Sequence, residues 1–378
     1  MKKMVWVLWL LLIGSSLAQD LKQQAVQTYA DIVFASYQDT LVLTETLKST
    51  IHAFLSDPNQ ETMNAAKDAW IAAREPYGQT EAYRFYGGPI DDEDGPEGLI
   101  NAWPLDEVYI DYIEGMSEAG IINNLTAYPE INKDLLISLN EVGAEENIST
   151  GFHAIEFLLW GQDLSSETNG QRAYTDYTSA ANADRRGAYL AAAGELLVED
   201  IKSLVDAWNL DVAGNYREAF LALEPDAALQ NMFTGMGVLS KSELPGERIF
   251  TAYDNQDQED EHSCFSDNTH RDIANNFQGI ENVYVGNYIR TDGSVVSGVG
   301  LKDVIAELDP ALNDEMLGLL EQAKKETQAL YVPFDQAIIN DETRPQVLAL
   351  VSSLLDLGDK IAEVGGVLGL TINTALPE

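Results

Sequence analysis

The chain has 378 residues, 45% of them hydrophobic, and sets 62 acidic residues against 22 basic ones, for a formal net charge of −40. That length and apolar content suffice for a sizeable core and for two domains of ordinary size. So acidic a surface excludes nucleic acid and anionic membranes as partners and attracts cations only loosely. The one cysteine, Cys264, excludes intramolecular disulfides, so stability must come from packing.

Met1 to Ala18 reads as an export leader: Lys2 and Lys3 give a basic start, Val5 to Ile13 is wholly apolar, and Ser16-Leu17-Ala18 offers small residues for cleavage. The apolar run is too short for a relaxed membrane span, which takes roughly 20 residues. The mature protein is therefore expected to begin near Gln19, to be exported, periplasmic or cell-surface associated, and to keep no integral membrane segment. From Gln19 to about Leu55, the apolar residues Leu21, Val26, Tyr29, Ile32, Val33, Tyr37, Leu41 and Leu43 recur at helical spacing. His52 sits near the end of that helix in no motif and reads as solvent-facing or as a partner of the helix C-terminal dipole rather than as a ligand.

Asp57-Pro58 marks a break, and Glu61 to about Tyr83 reads as the next helix, with Pro76 expected to kink it or end it early. Two residues there carry chemistry. Glu75 is either a metal ligand or half of an ion pair with a neighbouring helix. Arg74 can hold a carboxylate or anion by its planar fork, or serve as such a structural pair itself. Gly87 to Asp106 is a long turn-rich connection whose acidic run, Asp91 to Asp94, lacks the alternation of an EF-hand loop and reads as solvated. Tyr109 to Met116 and Leu135 to Glu141 are expected as short helices.

Gly151-Phe152-His153-Ala154-Ile155-Glu156-Phe157-Leu158-Leu159-Trp160-Gly161 is apolar almost throughout and bounded by glycines, which suits a buried helix. His153 and Glu156, at i and i+3, leave the same face. Burying both among Phe, Leu and Trp is costly without partners. A metal ion is one such partner; a His–Glu hydrogen bond, or an arginine for the glutamate, is another.

This stretch resembles the signature of the imelysin-like family, the group of the insulin-cleaving membrane protease and iron-regulated protein A. Trp70 to Glu81, Tyr83 to Asp91, Trp103-Pro104-Leu105-Asp106 and Glu261 to His270 resemble further landmarks, in order, over nearly the whole mature chain. The resemblance implies an exported all-α protein of two helical-bundle halves with a metal-binding or peptidase-like site at HxxE, and relatives that are periplasmic components of ferrous-iron uptake.

Thr175 to Gly187 reads as a polar connector and Tyr189 to Trp208 as a strong amphipathic helix. In the second half, Phe277 to Asn287 lines up with Phe152 to Gln162, with Gln278 in place of the histidine. This points to an internal duplication, with an N-terminal bundle over 19–225 and a C-terminal bundle over 226–378, and one metal site in all. Just before the second copy, a helix through Asp267 and His270 would put both on one face, with Glu261 and His262 nearby; the alternative is a loop whose polar groups satisfy each other. Leu301 to Ile305, Met316 to Leu330 and Val347 to Val364 read as the remaining helices, broken after that by Gly365-Gly366.

The expected metal ligands are His153 and Glu156, completed by Glu75 and by Asp267 or His270, with Arg74, Asp106 and His262 around them. The ion is divalent or trivalent, iron or zinc. The motif lacks the second histidine of a zinc peptidase and leaves no free carboxylate as base. The leading expectation is therefore a metal binder linked to iron uptake, with a membrane-bound uptake component as partner. The alternatives are a secreted metallopeptidase and a structural receptor-accessory protein.

Overall fold

The computed structural model describes residues 2–377, with side chains from residue 19 onward. The leader reading for residues 1–18 thus falls on side chains outside those described. Among the described residues no helix is long and apolar enough to cross a membrane.

Among the described residues, regular secondary structure is helical apart from one two-stranded hairpin. Helix α1 (Lys2–Ser56) buries Val26, Tyr29, Val33, Tyr37, Leu47, Ile51 and Phe54 along one stripe. Its Ser36, Thr40 and Thr44 hydroxyls, also buried, satisfy themselves on carbonyls one turn back. Helix α2 (Gln60–Thr80) starts where the Asn59 side chain accepts the N–H groups of Glu61 and Thr62. Pro76 does not end it: the helix runs on to Thr80, followed by a tight turn at Glu81–Tyr83. Packing against α1 on one side holds the segment despite the missing N–H.

Helix α3 (Gly151–Trp160) is buried along its whole length and packs on α2 and on α4 (Ala183–Trp208). It opens and closes on glycines with φ of +80° and +71°, conformations that other side chains resist. Helix α5 (Pro225–Val238) continues into a wide π-type stretch, Leu239–Phe250. Helices α6 (Thr269–Val285), α7 (Pro310–Ala329) and α8 (Arg344–Val367) complete the main frame, with α8 lying against both α7 and the π-type stretch. One apolar cluster runs through all of these elements.

Several local expectations differ from the structure. Tyr109–Met116 is a single turn of helix, Glu107–Ile110, followed by a bridged turn between Ile113 and Met116. The polar connector after Thr175 is shorter than expected, because α4 already begins at Ala183. Gly365-Gly366 lies inside α8, whose packing carries the helix to Val367. The hairpin Asn287–Ile289 with Val295–Ser297 was not anticipated; Asp39 of α1 anchors it by accepting from Tyr288, Arg290 and Thr291.

One crossing sets the geometry of the site. Helices α2 and α6 meet so closely that a Cβ at Gly279 would lie 2.3 Å from the Gln79 carbonyl oxygen, and one at Gly78 would lie 2.7 Å from the Asn275 Cβ. Only glycine fits, and the approach brings Arg74 on α2 against Asp272 on α6. Gly279→Ala should therefore lower stability by about 1–3 kcal/mol, read from the denaturant midpoint. A wild-type midpoint would contradict so tight a crossing.

Candidate functional site

His153 and Glu156 project from α3 into the core, 2% and 0% exposed. His153 Nδ1 lies 3.0 Å from Glu156 Oε2. The other carboxyl oxygen accepts two hydrogen bonds from Ser266, one from its N–H at 3.0 Å and one from its hydroxyl at 2.6 Å. Both oxygens of Glu156 are thus taken, whereas His153 Nε2 is buried without a partner. Burial, reinforced by the Arg74 guanidinium, lowers His153 to about 3. Burial raises Glu156 to about 8 against the Ser266 hydrogen bonds. Both groups are held towards their uncharged forms at neutral pH.

A second imidazole stands beside the first. The His262 ring lies 4.9 Å from that of His153, centroid to centroid, at 73°. Its Nδ1 is 2.8 Å from Asp272 Oδ2, and burial, then Arg248, lowers it to about 3. Arg74 grips the same Asp272 with its fork, Nε to Oδ1 at 3.1 Å and Nη2 to Oδ2 at 2.9 Å, and lies over the Phe152 ring at 5.0 Å. Burial alone would raise Asp272, but Arg74 and His262 hold it well below the usual carboxylate range. His262 also lines a cleft of about 280 Å³, with Trp103, Arg84, Glu97, Glu243 and Arg248.

From Arg74 a buried polar chain continues. Its Nη1 donates to Asn101, and Asn101 donates to Glu81 at 3.3 Å. Glu81 accepts from Arg84 and from Arg248, each at 2.8 Å, and Arg248 donates to Asn276 at 2.9 Å. Burial alone would raise Glu81; Arg248 and Arg84 outweigh it and hold the carboxyl far below its ordinary value.

The residues singled out from the sequence divide into three groups. His153, Glu156, His262 and Arg74 share one cluster. Asp267 does not lie on a helical face with His270: its φ is +58°, and α6 starts only at Thr269. Its carboxylate instead gathers with those of Asp163 and Asp335. The others lie apart. His270 is half-buried, with Nδ1 3.1 Å from the Asp267 carbonyl. Both oxygens of Glu75 are engaged by Arg271 near the surface. Asp106 is exposed and caps the turn Glu107–Ile110 through the Val108 N–H. Sequence reasoning missed Ser266 as a donor, and missed Asp272, Glu81, Arg248, Asp163 and Asp335. Glu81 and Ser266 stand inside landmark stretches, but their partners Arg248 and Glu156 lie 167 and 110 residues away, and no motif marks Asp272, Arg248, Asp163 or Asp335.

The model of the imelysin family matches residues 33–361. Iron-regulated protein A of Synechococcus elongatus is 25% identical over 350 residues, covering 89% of this chain and 84% of that protein. A crystal structure from Parabacteroides distasonis, described as an iron-regulated protein A precursor, superposes with a TM-score of 0.72 at 21% identity, over 92% of this chain and 95% of that one. That of an imelysin-like protein from Psychrobacter arcticum superposes with a TM-score of 0.67 at 12% identity, over 94% and 98%. The two superpositions establish a shared fold.

Glu81→Gln would remove the carboxylate shared by Arg84 and buried Arg248, leaving each only its second acid, Glu97 and Glu243, and should cost about 1–3 kcal/mol at pH 7. Because the folded carboxyl is depressed, its contribution is present above the ordinary value of 4.5 and is lost as pH falls below it. The variant should therefore lose less stability on acidification than the wild type. Denaturant titrations at pH 7 and pH 4 measure both effects; parallel curves would contradict the assignment.

Proposed function

The chain belongs to the imelysin family, and from that premise we propose an exported, iron-linked protein that binds iron or another transition metal through His153 and acts as a carrier rather than a peptidase. The observation that carries this reading is the partnerless, buried Nε2 of His153. Its Nδ1 lies against the Glu156 carboxyl; a cation beside the ring would favour ionised Glu156, to which Nδ1–H then donates, and this fixes the tautomer and leaves Nε2 as the ligand atom. His262 repeats it, with Nδ1 on Asp272. Neutral imidazoles suit iron and zinc, and burial keeps both rings neutral.

The residues thus fit a transition metal, with His153 and His262 as the nitrogen donors and Glu156 and Asp272 orienting them. In this arrangement Glu156 is an orienting carboxylate rather than a ligand. The same geometry weighs against the peptidase reading, since neither oxygen of Glu156 is free to act as a base. The name of the Synechococcus relative supports the link to iron, and the basic, then apolar start of the chain supports export. A membrane-bound uptake component is the partner this role calls for.

An internal duplication, with bundles over 19–225 and 226–378, belongs to the same proposal. Gln278 donates to Glu281 at 2.9 Å, as His153 meets Glu156 at the same spacing. Both helices end on glycines in the left-handed region, Gly161 and Gly286. The second copy has no imidazole, and its Glu281 is paired with Lys324.

Metal analysis of the purified protein after loading with ferrous iron or zinc should find one transition-metal ion per chain. His153→Ala should lose it, and Glu156→Gln should weaken binding roughly 10–100-fold. Equal loading of wild type and His153→Ala would overturn the reading.

A further inference from the structure

A group of acidic side chains beside the imidazoles remains unexplained. Carboxylate oxygens of Asp163, Asp267 and Asp335 lie within 4.8 Å of one another. Asp163 follows α3, Asp267 precedes α6, and Asp335 lies in the short helix Phe334–Ile339. Oxygens on opposite sides of a calcium ion, each at about 2.4 Å, lie about 4.8 Å apart.

Glu261 supplies an independent observation. It is 0% exposed, and its carboxylate faces Asp335 and Asp267. Neither of its oxygens has a well-formed hydrogen bond, and the same holds for both oxygens of Asp335, Oδ2 of Asp163 and Oδ1 of Asp267. Among the described residues, no lysine, arginine or histidine forms an ion pair with any of the four. Three carboxylates within 4.8 Å of one another, with the fully buried Glu261 facing two of them, cannot all stay ionised without a counter-charge, and the protein's own side chains supply none.

We infer that Asp163, Asp267, Asp335 and Glu261 form an all-oxygen site for a hard divalent cation of calcium-like size, separate from the imidazoles of His153 and His262. Carboxylates select hard ions. Magnesium usually takes one or two carboxylates and keeps its waters, whereas calcium accepts four carboxylates in irregular array. Asp163 also lines a cleft of about 380 Å³, which gives the ion a route inward. A bound ion would tie three separate segments together. One of them carries Ser266, the donor to Glu156, next to Asp267.

The test is calorimetric titration of CaCl₂ into chelator-treated protein, alongside thermal unfolding. The wild type and His153→Ala should each bind one Ca²⁺. Asp335→Asn and Asp163→Asn should bind it roughly tenfold more weakly or worse while still taking up zinc at the imidazoles. In chelator, Asp335→Asn should melt above the wild type, because a repulsive charge has gone; added CaCl₂ should raise the wild-type midpoint and leave the variant's nearly fixed. No saturable binding of Ca²⁺, Mg²⁺ or Mn²⁺ at millimolar concentration, or variants that bind like the wild type, would overturn the site. Tighter binding of Mg²⁺ or Mn²⁺ than of Ca²⁺ would overturn the calcium assignment. Loss of Ca²⁺ binding in His153→Ala would overturn the separation of the two sites. Failure of the imidazoles to take up zinc would count against the proposed function alone.

Discussion

A carboxyl group with no access to water has to find its hydrogen bonds inside the fold, and Glu156 finds them on a distant stretch of chain. Ser266, 110 residues away, gives it both an N–H and a hydroxyl. Leaving that carboxyl unsatisfied would cost several kcal/mol, so the segment carrying Ser266 must dock wherever α3 is buried. Its docking brings His262 against His153, Asp272 against Arg74, and Asp267 and Glu261 towards Asp163. The imidazole pair and the carboxylate group both depend on that docking and on the close crossing of α2 and α6.

The charge distribution follows a related logic. Arg74, Arg172, Arg186, Arg217 and Arg248 are buried, and four of them neutralise buried acids: Arg74 with Asp272, Arg172 and Arg186 with Asp111, and Arg248 with Glu81. Such pairs add little net stability over apolar packing, but removing one partner is costly, so they fix which segments meet. Because these pairs cancel within the core, the chain's acidic excess lies largely at its surface. Cations are thereby concentrated around clefts whose floors hold imidazole and carboxylate donors.

The frame of the protein was legible in the sequence wherever apolar residues recur at helical spacing over many turns, as in α1, α4 and α8. The fully buried α3 announced itself by its unbroken apolar run between glycines, and the fork of Arg74 by the geometry of guanidinium. Partners across the fold were not legible. Nothing local marks Asp272 as the acid for Arg74, Glu81 as the counter-ion of Arg248, or Asp335 as a neighbour of Asp163. Asp267 was misplaced because its left-handed backbone, which breaks the helix before α6, leaves no trace in composition. The hairpin did carry a signal, Asp292-Gly293 between runs of strand-forming residues; the helical character of the rest obscured it.

The central claim is that His153 presents Nε2 to a metal ion while Glu156 holds Nδ1. Anomalous diffraction from crystals grown with zinc or ferrous iron, recorded on both sides of the metal's absorption edge, tests it most directly. The account predicts a peak at about 2.1 Å from His153 Nε2, with Glu156 still bonded to Nδ1 and to Ser266. A peak coordinated by Glu156 with His153 turned away, or no peak beside His153 in fully loaded crystals, would contradict it.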